Sequence, residues 1–114
     1  MTQEQMHVAT ARFVLRVPWA RSLKDKRQVV RSLRDRLAAR FNAAVAEVED
    51  MDNLQRAVLG VAFVGNDAGI LRAELDKVTQ LVVSHSEAEL VDREVKVTPF
   101  ATRFMDLGLS TSEG

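Results

Sequence analysis

Between residues 7 and 17 apolar and polar side chains alternate. Ala9, Ala11, Phe13, Leu15 and Val17 fall on one face, and Val8, Thr10, Arg12, Val14 and Arg16 on the other. A period of two is that of a strand with one buried face, and Pro18 ends it by withholding a backbone donor. The period then changes. From Leu23 to about Phe41, Val30, Leu33, Leu37 and Phe41 recur at helical spacing with Val29 beside them, which predicts an amphipathic helix. Ser22 is its expected cap, with Asp25 three residues on in a capping-box arrangement, and Asn42 its stop. Residues 43–50 read as a short second strand, acidic at its end, and Asp50-Met51-Asp52-Asn53 as a turn. Gln55 to Val64 reads as a third strand with Ala57, Leu59, Val61 and Phe63 on one face. Gly65-Asn66-Asp67 closes it and caps a second helix, where Leu71, Leu75, Val78 and Val82 repeat until Ser84-His85-Ser86. A fourth strand, about 88–98, alternates Val91, Val95 and Val97.

The order β-α-β-β-α-β predicts an α+β fold, a ferredoxin-like plait. Its four-stranded antiparallel sheet carries two helices on one face, joined by right-handed crossovers. This domain spans 6–98. Residues 99–114 form a C-terminal extension in which Phe100, Phe104 and Leu107 stand at i, i+4 and i+7. That spacing is enough for a helical turn or two on the open sheet face before a disordered end. The open face would show Val8, Val14 and Val58 among Arg12, Arg16 and Arg56. Such a mixture suits either a partly wet sheet surface or a partner subunit, and a homodimer joined through this face or a sheet edge is expected.

The 114 residues leave room for one domain. There is no cysteine, hence no disulfide and no thiolate metal site. No apolar run nears the ~20 residues of a membrane span, and Met1 to Met6 lack the basic and apolar regions of an export signal. A cytoplasmic location and no membrane partner are therefore expected. The net charge is zero, but the charges are segregated. Residues 16–40 hold nine Lys or Arg against two acids, and residues 43–114 hold thirteen acids against six bases. A segment at +7 facing one at −7 says more about partners than the vanishing sum.

The basic segment is also patterned. Lys24, Arg27, Arg31 and Arg34 form a second stripe on the first helix, beside the apolar one, with Arg21 and Lys26 adjoining. A row of fixed cations can track successive phosphates, and Arg adds a forked donor. Base stacking on the sheet is not expected, because the outward residues of the first and third strands include no aromatic. The remaining chemistry reads as structural. Glu47 and Glu49 share a strand face with Asp50 and Asp52 nearby, but no ordered set of oxygen ligands accompanies them. Charges on an edge strand also prevent sheet aggregation. Gly65-Asn66-Asp67-Ala68-Gly69 lacks the Lys and spacing of a P-loop, and Asp67 would repel an anion. His7 and His85, 78 positions apart, accompany no nucleophile. Trp19 anchors the loop before the first helix or stacks on a partner.

From Met6 to about Val97 the chain resembles the YlxP-like family of small bacterial proteins of unknown function. The telling run is Arg21-Ser22-Leu23-Lys24-Asp25-Lys26-Arg27. Arg31-Ser32-Leu33, Arg40-Phe41-Asn42, Val45-Ala46-Glu47-Val48, Gln55-Arg56-Ala57, Leu59-Gly60-Val61-Ala62 and Asn66-Asp67 follow in the family's order. Leu54 departs from the aromatic residue expected before Gln55-Arg56, and the chain after Thr98 extends past the usual family end. The resemblance implies a ferredoxin-like fold and, through gene neighbourhood, a role near translation and ribosome assembly. It implies no catalytic residues and no cofactor.

The preferred expectation is thus a non-catalytic binding protein. It would meet RNA or a ribosomal particle through Lys24, Arg27, Arg31 and Arg34, with Arg21 and Lys26 assisting, and act as a homodimer. The alternative is a regulatory module holding a small molecule at the dimer interface. An enzyme with a site shared between subunits ranks third, as no catalytic set emerges.

Overall fold

A computed structural model describes residues 5–100 and builds six elements in the predicted order. These are β1 His7–Arg16, α1 Leu23–Arg40, β2 Ala44–Glu49, β3 Arg56–Gly65, α2 Ala68–Ser84 and β4 Glu89–Pro99. The sheet runs β2-β3-β1-β4 with every neighbouring pair antiparallel. Each βαβ unit skips one strand position, and the other unit fills it. This is the ferredoxin-like plait. From residue 101 onward the expected C-terminal extension, Phe104 and Leu107 included, lies outside the described residues.

Both helices pack on one face. Ala9, Ala11, Phe13 and Leu15 of β1 and Ala57, Leu59 and Val61 of β3 meet Leu33 and Leu37 of α1 and Leu71, Leu75, Val78 and Val82 of α2. The alanines admit the helices closely, while Phe13 and Leu59, paired across the strands, fill the centre. Truncating either to Ala would cost about 3 kcal/mol in lost transfer energy and a cavity. Ser22 Oγ accepts from the Asp25 amide at 3.1 Å. The Asp25 carboxylate reaches back to the Arg21 amide at 2.9 Å, one residue before the cap itself. Asp67 caps α2 by accepting from the Ile70 amide at 3.0 Å.

Two irregularities break the simple alternation. β2 shifts register between Glu47 and Glu49, so Glu47 and Glu49 do not share a face. Glu47 turns to α1, where it meets Lys26, and Glu49 turns to the open face, where it meets Arg12. β4 shifts where it passes Val14 and Leu15, placing Leu90 opposite Leu15 and leaving Val91 46% exposed. Val14 and Val58, which alternation places on the open face, are 2% and 0% exposed. They pair with each other where both shifts occur, among the ion-paired side chains of Arg12, Arg16 and Arg56.

One polar group lies at the centre of this construction. Lys26 is fully buried. Its ammonium donates to the carbonyls of Asp50, Met51 and Arg56 at 2.9, 3.1 and 3.2 Å. Glu47 Oε2 stands 2.8 Å away, off the hydrogen-bonding directions, so the pair is a charge contact. These bonds hold the β2–β3 connection, where Asp50 takes the left-handed backbone (φ 58°) that Asp tolerates. Gln55 extends the tie, its side-chain amide donating to the carbonyls of Pro18 and Ala20 at 3.0 and 3.3 Å. Replacing Lys26 by Met should cost roughly 3–5 kcal/mol in urea denaturation, because a buried carboxylate and three carbonyls lose their cation. Glu47→Gln, which keeps the ammonium and its carbonyls, should cost only about 1 kcal/mol. Equal losses would contradict this division.

Candidate nucleic-acid interface on the first helix

The heptad-like placing of Val29, Val30, Leu33 and Leu37 against the sheet turns the opposite side of α1 to water. Lys24, Arg27, Arg31 and Arg34 are all exposed there. At 1.5 Å per residue they run about 15 Å along the axis, within one quadrant of the helix surface. Among the described residues, Lys24, Arg27 and Arg31 form no ion pair. Arg34 meets only Asp35, its exposed neighbour, at 3.6 Å, a surface contact of little consequence. Paired acids elsewhere serve other cations. Glu49 and Glu94 hold Arg12 and Asp50 holds Arg56, while Glu89 meets Arg16 at 4.0 Å and Asp76 meets Arg93 at 3.7 Å in exposed contacts of the same weak kind. The acids of the second half thus pair with arginines of the sheet, and among the described residues they leave Arg72 of α2, Lys96 of β4 and the α1 cations Lys24, Arg27 and Arg31 without an ion pair.

Of the two adjoining cations, Arg21 is exposed at the helix start. Lys26 is a correction. It shares the interior arc with Val30, Leu33 and Leu37 at spacings of four, seven and eleven, and its charge is spent on the β2–β3 connection. That spacing was visible in the sequence; the charge concealed it. Arg36 and Arg40 add exposed cations on the other flank, where Arg40 lies 5.7 Å from the centre of the Phe41 ring.

The open face offers different chemistry. Its half nearest His7 and Pro99 carries the small and apolar groups Thr10, Ala44, Ala46, Val48, Gly60 and Ala62 in a shallow depression, with the exposed Lys96 of β4 opposite Thr10. Val48 and Val64 are exposed beside it. Its other half carries the Arg12–Glu49–Glu94 cluster, in which the hydrogen bond from Arg12 holds the Glu49 carboxyl below its ordinary range. No group of His, Asp and Glu among the described residues is placed to hold a metal. His7 begins β1, whereas His85 precedes the end of β4 that pairs with Arg16, so the ten-residue length of β1 (~30 Å) separates them. No helix among the described residues is long and apolar enough to cross a membrane.

Residues 8–95 match the family described as "Protein of unknown function (DUF503)". The chain belongs to this family. It is 33% identical over 70 residues to the uncharacterised protein YlxP of Bacillus subtilis, a stretch covering 61% of this chain and 76% of that one. The DUF503 match takes in the whole of α1 and most of the sheet. Two solved structures are distantly similar. A de novo designed protein, Foldit4, is 12% identical over 87% of this chain and all of its own, with a TM-score of 0.47. Bacillus subtilis YxeP, titled a dinuclear metal binding peptidase of the M20 family, is 11% identical over 96% of this chain and 32% of its own, with a TM-score of 0.45. At TM-scores under 0.5 neither likeness bears on the activity of this DUF503 protein.

α1 also carries a titrating contact. His85, only 5% exposed, lies 3.4 Å from Ser32 Oγ. Burial, with Arg36 adding to it, pushes the His85 pKa down, and Glu87 opposes them. A depressed folded-state pKa means the unfolded chain takes up the proton first, so stability is full above the unfolded value, near 6.5, and declines as pH falls below it. His85→Gln should flatten that decline between pH 7 and 5 in urea titrations. An unchanged pH slope would show that His85 does not titrate against folding.

Proposed function

We propose that this protein is a non-catalytic RNA-binding protein that meets RNA, on a ribosomal particle, through the exposed face of α1. Lys24, Arg27, Arg31 and Arg34 contact phosphates, with Arg21 at the start of the row. One observation carries the reading: three of these cations are exposed and without an ion pair among the described residues. Like charges three and four apart on a helix destabilise it by a few tenths of a kcal/mol per pair, and a bound polyanion removes that cost. The outward residues of the two central strands include no aromatic, so the sheet offers no base-stacking platform and phosphate recognition by α1 is weak in sequence preference. Binding of a single-stranded RNA should fall with salt at a log–log slope of about −3 for four phosphate contacts. Lys24→Glu with Arg31→Glu should bring the slope to about −1 and cut affinity steeply at low salt. A double variant that binds as the original does would leave the row a solvated helix face.

The protein acts as a homodimer joined through the apolar half of its open sheet face. Val64 at 61% and Val48 at 50% exposure border a lane of small residues there, on the side away from α1. Two copies so joined keep both basic rows outward. Val64→Glu should convert the dimer to a folded monomer in analytical ultracentrifugation and remove the concentration dependence of its thermal unfolding. A wild-type monomer at high concentration would remove the dimer.

A further inference from the structure

Trp19, the only tryptophan of the chain, is 45% exposed, although tryptophan is on average a highly buried residue. It is held in that position. Its indole N–H donates to the Glu87 carbonyl at 3.1 Å, and the carbonyls on either side of it in sequence, those of Pro18 and Ala20, both accept from Gln55. The Val17 amide donates to the Gln55 carbonyl at 2.8 Å, and Ala20 closes the turn by donating to Val17 at 3.1 Å. Four bonds thus fix the loop and one fixes the ring, yet nearly half of the residue faces water. Pro18 beside it is exposed as well. The loop leads directly into the row: Arg21 is two residues on and Lys24 five, and both are exposed and without an ion pair among the described residues.

A rigid, half-open indole two and five residues before exposed cations that have no ion pair offers the two contacts by which single strands are held, cations for phosphates and a ring for a base. Preorganisation lowers the ordering cost of such a contact. We propose that Trp19 stacks on an unpaired nucleobase, so that the polyanion recognised by α1 is single-stranded RNA with an accessible base next to the phosphates held by Arg21 and Lys24. This rests on the RNA reading of α1 and adds to it the class of RNA. A duplex, whose bases are already stacked, would meet the cations and leave the indole alone.

Because no other tryptophan or tyrosine is present, the emission of the unmodified protein reads the contact directly. Titration with a twelve-nucleotide oligoadenylate at low salt should quench Trp19, and a twelve-base-pair RNA duplex should bind with little quenching. Trp19→Leu should weaken oligoadenylate binding, followed on labelled RNA, by ~10-fold, the scale of one base–aromatic stack, with the salt slope unchanged. Trp19→Phe should retain most of the affinity. Salt-dependent oligoadenylate binding with unaltered emission, or equal quenching by the duplex, would overturn the stacking contact while leaving the α1 row in place. Failure of both RNAs to bind at low salt would overturn the RNA reading and this inference together.

Discussion

The ammonium of Lys26 is the interaction on which the arrangement of this protein turns. Buried beneath the first turns of α1, it gathers the carbonyls of Asp50, Met51 and Arg56 and the carboxylate of Glu47 around one charge. An unpaired cation there would be expensive to desolvate, so the β2–β3 connection must close over it in one geometry. Gln55, fixed in that connection, then holds Pro18 and Ala20, and the loop that starts α1 inherits its position from the hairpin. Helix, hairpin and entry loop form one unit because one charge needs them all.

The same helix divides its cations by side. Lys26 faces inward and serves the fold. Lys24, Arg27, Arg31 and Arg34 face outward, and within the described chain only Arg34 has an ion pair, its exposed contact with Asp35. Zero net charge conceals this division, since the acids of the second half are drawn to Arg12, Arg16, Arg56 and Arg93. Position decides the pairing. β2 and β4 flank the two central strands at the sheet edges, so Glu49, Glu89 and Glu94 reach the open-face arginines across the strands, while Glu47 reaches Lys26 on the buried side of α1. A positive field therefore survives on one surface.

Most of the fold was legible in the residue pattern, because periods of two and 3.6 are imposed by burial and every element here has one buried face. Pro18, Ser22 and Asp67 mark boundaries through their own chemistry. What the pattern missed were places where a period slips. Glu47 and Glu49 look alike at a spacing of two, and only the register shift between them sends one to Lys26 and the other to Arg12. Val91 fails as an inward residue for a similar reason, Leu90 taking its place opposite Leu15. Bulges arise from three-dimensional fit and leave little trace in composition. Lys26 was misread differently: its spacing placed it with the core, but its charge grouped it with the surface row. The basic row itself was fully legible, since helical spacing alone gathers Lys24, Arg27, Arg31 and Arg34.

The most direct measurement of the function of this surface is sedimentation of a cell extract containing the protein through density gradients at low and at high salt. Co-migration with ribosomal particles at low salt, lost at high salt and absent for the Lys24→Glu, Arg31→Glu protein, is the predicted result. Migration at the top of the gradient under both conditions would contradict an RNA-directed role for α1.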